Sequence, residues 1–157
     1  MGISAHIARL RAFVGHELLL LPSVSVLPVD AGGRVLLGWA AGATDGWSTI
    51  GGAVEPGESP AETAIREARE ELGVEVRLTR LLDVLGGPDY EVTYPNGDRV
   101  AYVSTVHEAV IVAGEPAPSD GELSKVAWFS REELPTLHLG RFARALLAAT
   151  GYLPTVR

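Results

Sequence analysis

The sequence predicts an α+β fold, with a mixed β-sheet sandwiched between α-helices. Apolar segments with strand and helix periodicity follow one another without the strict alternation that is typical of a parallel α/β sheet. One helix has recognisable signals at both ends, and one long hairpin carries an Asn-Gly turn. The chain has 157 residues, of which 46% are hydrophobic, so we expect a single domain spanning 1–157.

The N-terminal part is expected to contain one helix and three strands. Apolar residues at helical spacing predict a short helix at 3–14, as an extension of the domain. The apolar segments 18–30 and 34–40 flank a turn at 31–33, so we expect them to pair as a β-hairpin. Segment 47–54 is predicted to be a third extended element.

The clearest helix is predicted at 60–72. Ser59 is a typical N-cap, Pro60 suits the first helical position, and Glu62 completes a capping box. Gly73 adopts the left-handed conformation without strain, so the helix is expected to end there.

After this helix the sequence predicts more strand than helix. Segment 89–114 should form a long hairpin, because the turn "PNGD" places Asn-Gly between two apolar segments. The remaining predicted elements are strands at 74–87 and 125–130, a helical turn at 130–135 and a closing amphipathic helix at 139–153.

Composition excludes several classes of function. The chain has no cysteine, which excludes disulfides, thiolate metal sites and cysteine nucleophiles, and agrees with a cytoplasmic protein. No apolar segment reaches membrane-spanning length and the N-terminus lacks a signal-peptide pattern, so no membrane partner is expected. The formal net charge is -7, so no nucleic-acid polymer is expected as a partner. An anionic substrate would need a positive group to screen it, and a divalent cation is the obvious candidate.

Glutamates are concentrated in the second half of the predicted helix. Glu67, Glu70 and Glu71 stand at i, i+3 and i+4, which places them on one face. Like charges at this spacing repel one another, so the cluster costs stability unless a cation binds between them. Hard carboxylate oxygens suit Mg²⁺, with Mn²⁺ as the alternative. A solvated helix face would be the simpler interpretation if these residues stood alone.

The glutamates belong to a longer pattern that resembles the Nudix box, G-x5-E-x7-R-E-U-x-E-E-x-G-U, where U is aliphatic. The seven fixed positions are all present, at Gly52, Glu58, Arg66, Glu67, Glu70, Glu71 and Gly73. With each residue type at about 7% usage, seven chance matches at fixed spacing have a probability on the order of 10⁻⁸. The preceding predicted hairpin and the later element with Glu122 and Trp128-Phe129 also resemble Nudix hydrolases, so the resemblance spans most of the chain.

The resemblance implies a Nudix fold and an enzyme that hydrolyses the pyrophosphate bond of a nucleoside diphosphate linked to another moiety. It implies that water attacks a phosphorus atom while Mg²⁺ activates the water and neutralises charge. Carried over to this chain, Glu70 and Glu71 are metal ligands, and Glu67 is a ligand or the general base. A backbone carbonyl of Gly51 or Gly52 would complete the metal shell.

Three further residues receive roles from the resemblance. Glu58 and Arg66 would form an ion pair that braces the loop against the helix. Glu122, which stands six residues before Trp128, would be an additional acidic ligand or base, with Asp120 as the alternative.

The substrate stays open at this point. Where the family frequently has Leu-Pro before the two glycines, this chain has Thr49 and Ile50, which weakens the transfer of any one subfamily's substrate. Pro88 and Tyr90 stand near positions that mark ADP-ribose and dinucleoside-polyphosphate enzymes, and they do not discriminate between the two. We expect a substrate like ADP-ribose or a nucleotide sugar. The alternative is a housecleaning pyrophosphohydrolase of nucleoside triphosphates.

Two other classes of protein remain as alternatives. A non-catalytic Nudix-like sensor would bind a nucleotide without turnover, although such modules usually lose box glutamates that this chain retains. A plain interaction domain rests only on the apolar terminal helices, which could also form a homodimer.

Overall fold

The computed structural model of the chain describes residues 4–154. Its helices are α1 (Ala5–Val14), α2 (Pro60–Leu72) and α3 (Arg141–Ala149). Its strands are β1 (Leu19–Pro28), β2 (Val35–Ala40), β3 (Ile50–Ala53), β4 (Glu75–Leu85), β5 (Glu91–Thr93), β6 (Arg99–Ala113) and β7 (Leu123–Phe129). Short 3₁₀ turns are present at Pro88–Tyr90 and Leu134–Thr136. None of the helices in this part of the chain is both long and apolar enough to cross a membrane.

The strands form two sheets. The larger sheet has the order β3-β1-β6-β4, and β5 pairs with the first residues of β6. β1 lies parallel to β6 and antiparallel to β3, so the sheet is mixed. β2 and β7 form a separate antiparallel pair.

Helices cover the strands on two sides, which confirms the predicted α+β sandwich. Alternate residues of β1 point to opposite faces, so Val24 and Val26 pack beneath α2 while Leu27 packs on the side of α3. The α2 side is completed mainly by Ala64, Ala68, Leu72, Ile50 and Leu36. The α3 side is completed mainly by Leu146, Leu147, Val35, Leu37 and Val106.

The predicted hairpin between segments 18–30 and 34–40 is wrong. Within residues 4–154, a single bridge between Val29 and Val35 joins the two segments. β2 instead pairs with β7 from Val35 to Ala40. β1 is bonded on one edge to β3 and on the other to β6, and a strand has only two hydrogen-bonding edges. The local turn therefore reverses the chain without forming a ladder.

Most other predicted elements are present with shifted ends. The third extended segment is a strand only at Ile50–Ala53, and the predicted helical turn is the 3₁₀ turn at Leu134–Thr136. The closing helix is shorter than predicted, because α3 begins at Arg141 and ends at Ala149. Ile3, the first residue of the predicted N-terminal helix, lies outside the described residues, as do both ends of the predicted domain.

Two predictions are confirmed closely. α2 runs from Pro60 to Leu72 with both predicted caps. The "PNGD" hairpin is also present, with β5 and β6 antiparallel and Thr93 opposite Arg99.

Candidate active site

α2 is held at both ends by its own sequence. The Glu62 N–H donates to Ser59 Oγ at 3.2 Å, and the Ser59 N–H donates to the Glu62 carboxylate at 2.8 Å. Gly73 is left-handed, with φ 67°, and its N–H donates to the Arg69 carbonyl. These contacts satisfy backbone groups that a helix end otherwise leaves unpaired. The side chains of the last two turns are consequently carried on a well-fixed backbone.

The three clustered glutamates of α2 have different surroundings. Glu67 and Glu71 lie one turn apart on the buried face, beside Ala64 and Ala68, and are only 3% and 4% exposed. Glu70 lies at the rim, with its side chain 33% exposed. The cluster is therefore not a solvated helix face, because two of its three members are almost completely buried.

Two glycines of β3 allow this buried face to approach the sheet. The Gly51 N–H donates to Glu71 Oε1 at 2.9 Å. A Cβ on Gly52 would stand 2.7 Å from Glu67 Cδ. A Cβ on Gly51 would overlap the Val24 carbonyl oxygen, and Gly51 has a φ of 150° that side chains rarely permit. Glycine is thus required at both positions, at the first by the backbone and at the second by a carboxylate.

Arg66 connects the carboxylates of the loop and the helix. Its Nε and Nη2 donate to the two oxygens of Glu58, at 2.7 and 3.0 Å. Its Nη1 donates to Glu67 Oε1 at 2.8 Å and to Glu70 Oε2 at 3.1 Å. These hydrogen bonds lower the pKa of Glu58 to about 2 and raise that of Arg66. One guanidinium therefore fixes three carboxylates in relation to one another.

Burial and mutual repulsion act on the two inner glutamates. Burial raises the pKa of Glu71 to about 8; the Gly51 N–H opposes this rise, and the charges of Glu67, Glu122 and Asp120 add to it. Burial also raises the pKa of Glu67, and the charge of Glu122 contributes. A negative environment of this kind attracts a cation, because a cation relieves both the desolvation and the repulsion.

The loop before β7 brings further acidic residues to the same place. The Ser119 N–H donates to the Glu71 carbonyl at 3.0 Å, which ties the loop to the end of α2. The Glu122 N–H donates to Asp120 Oδ1 at 2.9 Å, and the Glu122 carbonyl accepts from the Ala41 N–H at 2.7 Å. Both acidic residues of the loop thus remain candidates for the role expected of Glu122.

The carboxylates face a cleft of about 800 Å³. Seven of the eight predicted site residues line it: Gly51, Gly52, Glu58, Arg66, Glu67, Glu70 and Glu122. Glu71 does not line the cleft and lies behind Gly51, with which it is hydrogen-bonded. The structure therefore brings all the predicted residues together but places Glu71 one layer deeper than the others.

Other lining residues were missed by the sequence analysis. Ile7 and Arg11 of α1 line the cleft, as does its N-cap residue Ser4, although that helix was expected only as an extension. Tyr94 and Tyr102 also line it. The "PNGD" turn was the one available signal for Tyr94, since it places that residue at a hairpin tip.

The donor set fits a hard divalent cation, although no three side chains close around one point. Within residues 4–154, no group of three Asp, Glu or His side chains converges tightly enough to hold an ion. The hydrogen bonds from Arg66 and Gly51 use one oxygen each of Glu67, Glu70 and Glu71. Each of these side chains has a second oxygen with which to ligate a cation, and carboxylate oxygens are the ligands that Mg²⁺ prefers.

Comparison with known proteins identifies the family pattern. A family model described as the NUDIX domain matches residues 19–149. The chain is 36% identical over 130 residues to an NAD-capped RNA hydrolase NudC of Pseudomonas aeruginosa (strain LESB58). That match covers 82% of this chain but only 43% of the relative, so the chain corresponds to less than half of that protein.

Two further similarities extend over most of the length of the compared protein. The chain is 31% identical over 110 residues to a nucleoside triphosphatase NudI of Enterobacter sp. (strain 638), covering 68% of this chain and 77% of the relative. A crystal structure of a NUDIX-family hydrolase from Clostridium perfringens is 27% identical, with a TM-score of 0.64. That similarity covers 83% of this chain and 94% of the other.

Proposed function

This chain belongs to the Nudix family, and we propose that it is a divalent-metal-dependent enzyme that hydrolyses the pyrophosphate bond of a nucleoside diphosphate linked to another moiety. One observation carries the proposal: Glu67, Glu70 and Glu122, from two separate segments, converge on a cleft of about 800 Å³. Clefts of roughly 300–1,000 Å³ are typical of small-molecule sites.

The carboxylates of α2 supply the metal site in this proposal. Glu70 and Glu71 would ligate the cation, and Glu67 would be a third ligand or the general base. A backbone carbonyl of Gly51 or Gly52 would add a further oxygen. Mg²⁺, or Mn²⁺ in its place, would neutralise the diphosphate and lower the pKa of the attacking water when bound.

The protein's own part is to hold these groups in place. Arg66 keeps Glu58, Glu67 and Glu70 in register through the hydrogen bonds described above. The water oxygen attacks one phosphorus, the bridging P–O bond breaks, and the leaving phosphate keeps the electron pair. The proton of the water passes to a carboxylate, which is Glu67 or the loop residue Glu122, with Asp120 as the alternative to the latter.

The shape of the cleft favours a substrate with groups on both sides of the diphosphate. The cleft extends from the carboxylates to α1, so it has room for a group beyond the phosphates. An ADP-ribose or nucleotide-sugar-like compound has this form. NAD has it too, and similarity to enzymes described as NAD-capped RNA hydrolases supports testing NAD and NAD-capped RNA. The net charge of -7 disfavours the polymer.

A second candidate function is the hydrolysis of nucleoside triphosphates. The similarity to a nucleoside triphosphatase NudI favours it, because that match covers 77% of the relative. A triphosphate presents one terminal phosphate instead of a second organic group. The two candidates are thus separated by which compounds are hydrolysed.

The deciding experiment is a hydrolysis assay over a panel of compounds, with and without Mg²⁺. The panel contains ADP-ribose, UDP-sugars, NAD and NADH, dinucleoside polyphosphates, NAD-capped RNA and the nucleoside triphosphates. We expect one diphosphate-linked compound to be preferred and its hydrolysis to require the metal. Preference for a triphosphate would support the second candidate. Tight binding of a nucleotide without any turnover would instead indicate a sensor.

A matched pair of variants controls the assay. Glu71→Gln removes a proposed ligand while it preserves the size of the side chain, so turnover should fall by at least about a hundredfold. Glu75→Gln is the same change on the exposed surface, where Glu75 pairs with Arg69, and should leave turnover unchanged. Equal activity of both variants would remove Glu71 from the metal site.

A further inference from the structure

α1 forms part of the substrate cleft although it precedes the family domain. The matched segment is 19–149, whereas α1 spans Ala5–Val14. Ser4, Ile7 and Arg11 line the cleft together with Leu21 of β1. Ser4, Ile7 and Arg11, which form one wall of the cleft, therefore lie outside the segment that the family model matches.

Arg11 and His16 fasten α1 to the hairpin tip. The Arg11 guanidinium donates to the Arg99 carbonyl at 2.8 Å and to the Glu17 carbonyl at 2.6 Å. It also lies 3.6 Å from the Asp98 carboxylate, and both side chains are only 10% exposed. His16 Nδ1 is hydrogen-bonded to the same carboxylate at 2.7 Å. The wall is consequently fixed by polar contacts to the hairpin and not by apolar burial, since none of the apolar residues of α1 is buried.

The position of α1 sets a distance from the carboxylates. Gly52, which touches Glu67, pairs with Val24 of β1. Leu21 stands three residues earlier on the same strand and lines the same cleft as Ile7 and Arg11. Three residues of extended strand span roughly 10 Å. A group held beside Leu21 is thus about one diphosphate and sugar away from the position opposite Gly52.

The part of the cleft that is lined by α1, Tyr94 and Tyr102 suits an aromatic ring with hydrogen-bonding atoms. Ile7, Leu21 and Val100 present apolar surface. The hydroxyls of Tyr94 and Tyr102 are 2.6 Å apart, so one hydroxyl donates to the other. That bond uses one of the two hydroxyl hydrogens, and the second remains able to donate to a ligand. Tyrosine rings also offer faces on which bases stack.

We propose that α1, Tyr94 and Tyr102 bind the nucleobase of the substrate, so that a helix outside the family domain selects which compounds are accepted. The inference rests on the proposed function for the reaction but makes a separate statement about recognition. Ile7 and Tyr94 are specificity residues and take no part in the chemical step.

The test compares matched variants in binding and in turnover. Ile7→Ser alters the cleft wall, and Phe13→Ser is the same kind of change on the same helix at a side chain that is 89% exposed. Tyr94→Leu alters the wall from a different element. Binding of AMP, UMP and the base-free ribose 5-phosphate is measured by calorimetry with Mg²⁺ present, and kcat and KM are measured for the preferred substrate.

We expect Ile7→Ser and Tyr94→Leu each to weaken the binding of the better nucleotide by about tenfold. Binding of ribose 5-phosphate should be unchanged, KM should rise and kcat should stay within about threefold, since the metal end is untouched. Phe13→Ser should match the wild type in every measurement. Nucleotide binding that is unchanged in both wall variants would overturn the inference.

The outcomes separate this inference from the proposed function. If the protein hydrolyses a compound but the wall variants bind nucleotides like the wild type, only the inference fails. If it hydrolyses nothing while the wall variants selectively lose nucleotide binding, only the proposed reaction fails. The inference would also be overturned if the two wall variants lost affinity for AMP and for ribose 5-phosphate equally. The same holds if the wild type bound no nucleotide.

Discussion

Gly52 lies directly against the carboxylate of Glu67. A Cβ at Gly52 would stand 2.7 Å from Glu67 Cδ, closer than real Cβ contacts come. The atoms in the way belong to the end of a side chain, so the carboxylate can move aside while the backbone stays. At Gly51, by contrast, the obstructing atom is the backbone carbonyl oxygen of Val24. Adjacent glycines are thus required for different reasons.

Gly52→Ala should impair activity far more than stability. The added methyl displaces the Glu67 carboxylate, and misplacing a reacting group by about 1 Å can cost a hundredfold in rate. We expect kcat/KM to fall at least about tenfold, while the free energy of unfolding changes by less than about 1.5 kcal/mol. Gly86→Ala is the control, because its added Cβ would meet other atoms only at 3.6 Å. The prediction would be contradicted if Gly52→Ala lost more than about 1.5 kcal/mol of unfolding free energy while kcat/KM fell less than about tenfold.

Arg66→Lys should destabilise the protein although it preserves the charge. Lysine cannot form the paired hydrogen bonds to Glu58 together with those to Glu67 and Glu70. We expect the free energy of unfolding in urea to fall by about 1–3 kcal/mol. Arg69→Lys is the matched control on the same helix. Its partner Glu75 is exposed, so that change should cost less than about 0.5 kcal/mol.

Ser59→Ala should weaken the start of α2. The substitution removes the acceptor of the Glu62 N–H, and loss of such an N-cap costs about 1 kcal/mol. Glu62→Ala removes the reciprocal bond to the Ser59 N–H. Since the two bonds form one capping box, the double variant should lose less than the sum of the single variants in thermal or urea unfolding. Strict additivity would show that the two contacts act independently.

His107 should make the protein less stable in mild acid. The residue is 9% exposed, and burial lowers the pKa of its imidazole below the usual 6.5. The unfolded chain then binds more protons than the folded one between these two pKa values. Stability is therefore complete above about pH 6.5 and decreases as the pH falls toward the folded pKa.

His107→Gln provides the comparison for this effect. Glutamine does not titrate, so the variant should lose less stability than the wild type between about pH 7.5 and 5.5. The measurement is the free energy of unfolding in urea at several pH values. The slope of this free energy against pH is compared between the wild type and the variant, instead of its absolute value. Parallel slopes would exclude His107 as the source.

Local signals explain which parts of the fold could be predicted. α2 begins and ends as predicted because Ser59, Pro60, Glu62 and Gly73 act within a few residues of themselves. The pairing of β2 could not be predicted in the same way. Its partner β7 is about 90 residues away. The turn at 31–33, which lies between two apolar segments, is equally compatible with a hairpin. β2 pairs with β7 and not with β1, because β3 and β6 already occupy both hydrogen-bonding edges of β1.

The candidate site also contains residues that local spacing places and residues that only tertiary contacts place. The box residues could be placed from the sequence, because their spacing on one helix determines which side they share. The contribution of α1 could not, since it depends on a contact between Arg11 and Asp98, 87 residues apart. The deeper position of Glu71 also follows from tertiary packing, as it requires the approach of Gly51.

The parallel pairing of β1 with β6 has a consequence for synthesis of the chain on the ribosome. Leu20 of β1 stands opposite Ala101 of β6, about 80 residues later. The central strand therefore has only β3 to pair with until most of the chain has been made. Its apolar residues stay exposed during that time, and folding that depends on such distant contacts is slow. The nascent chain is thus most vulnerable to aggregation at a stage when α2, whose capping signals are complete in its own sequence, has already been translated.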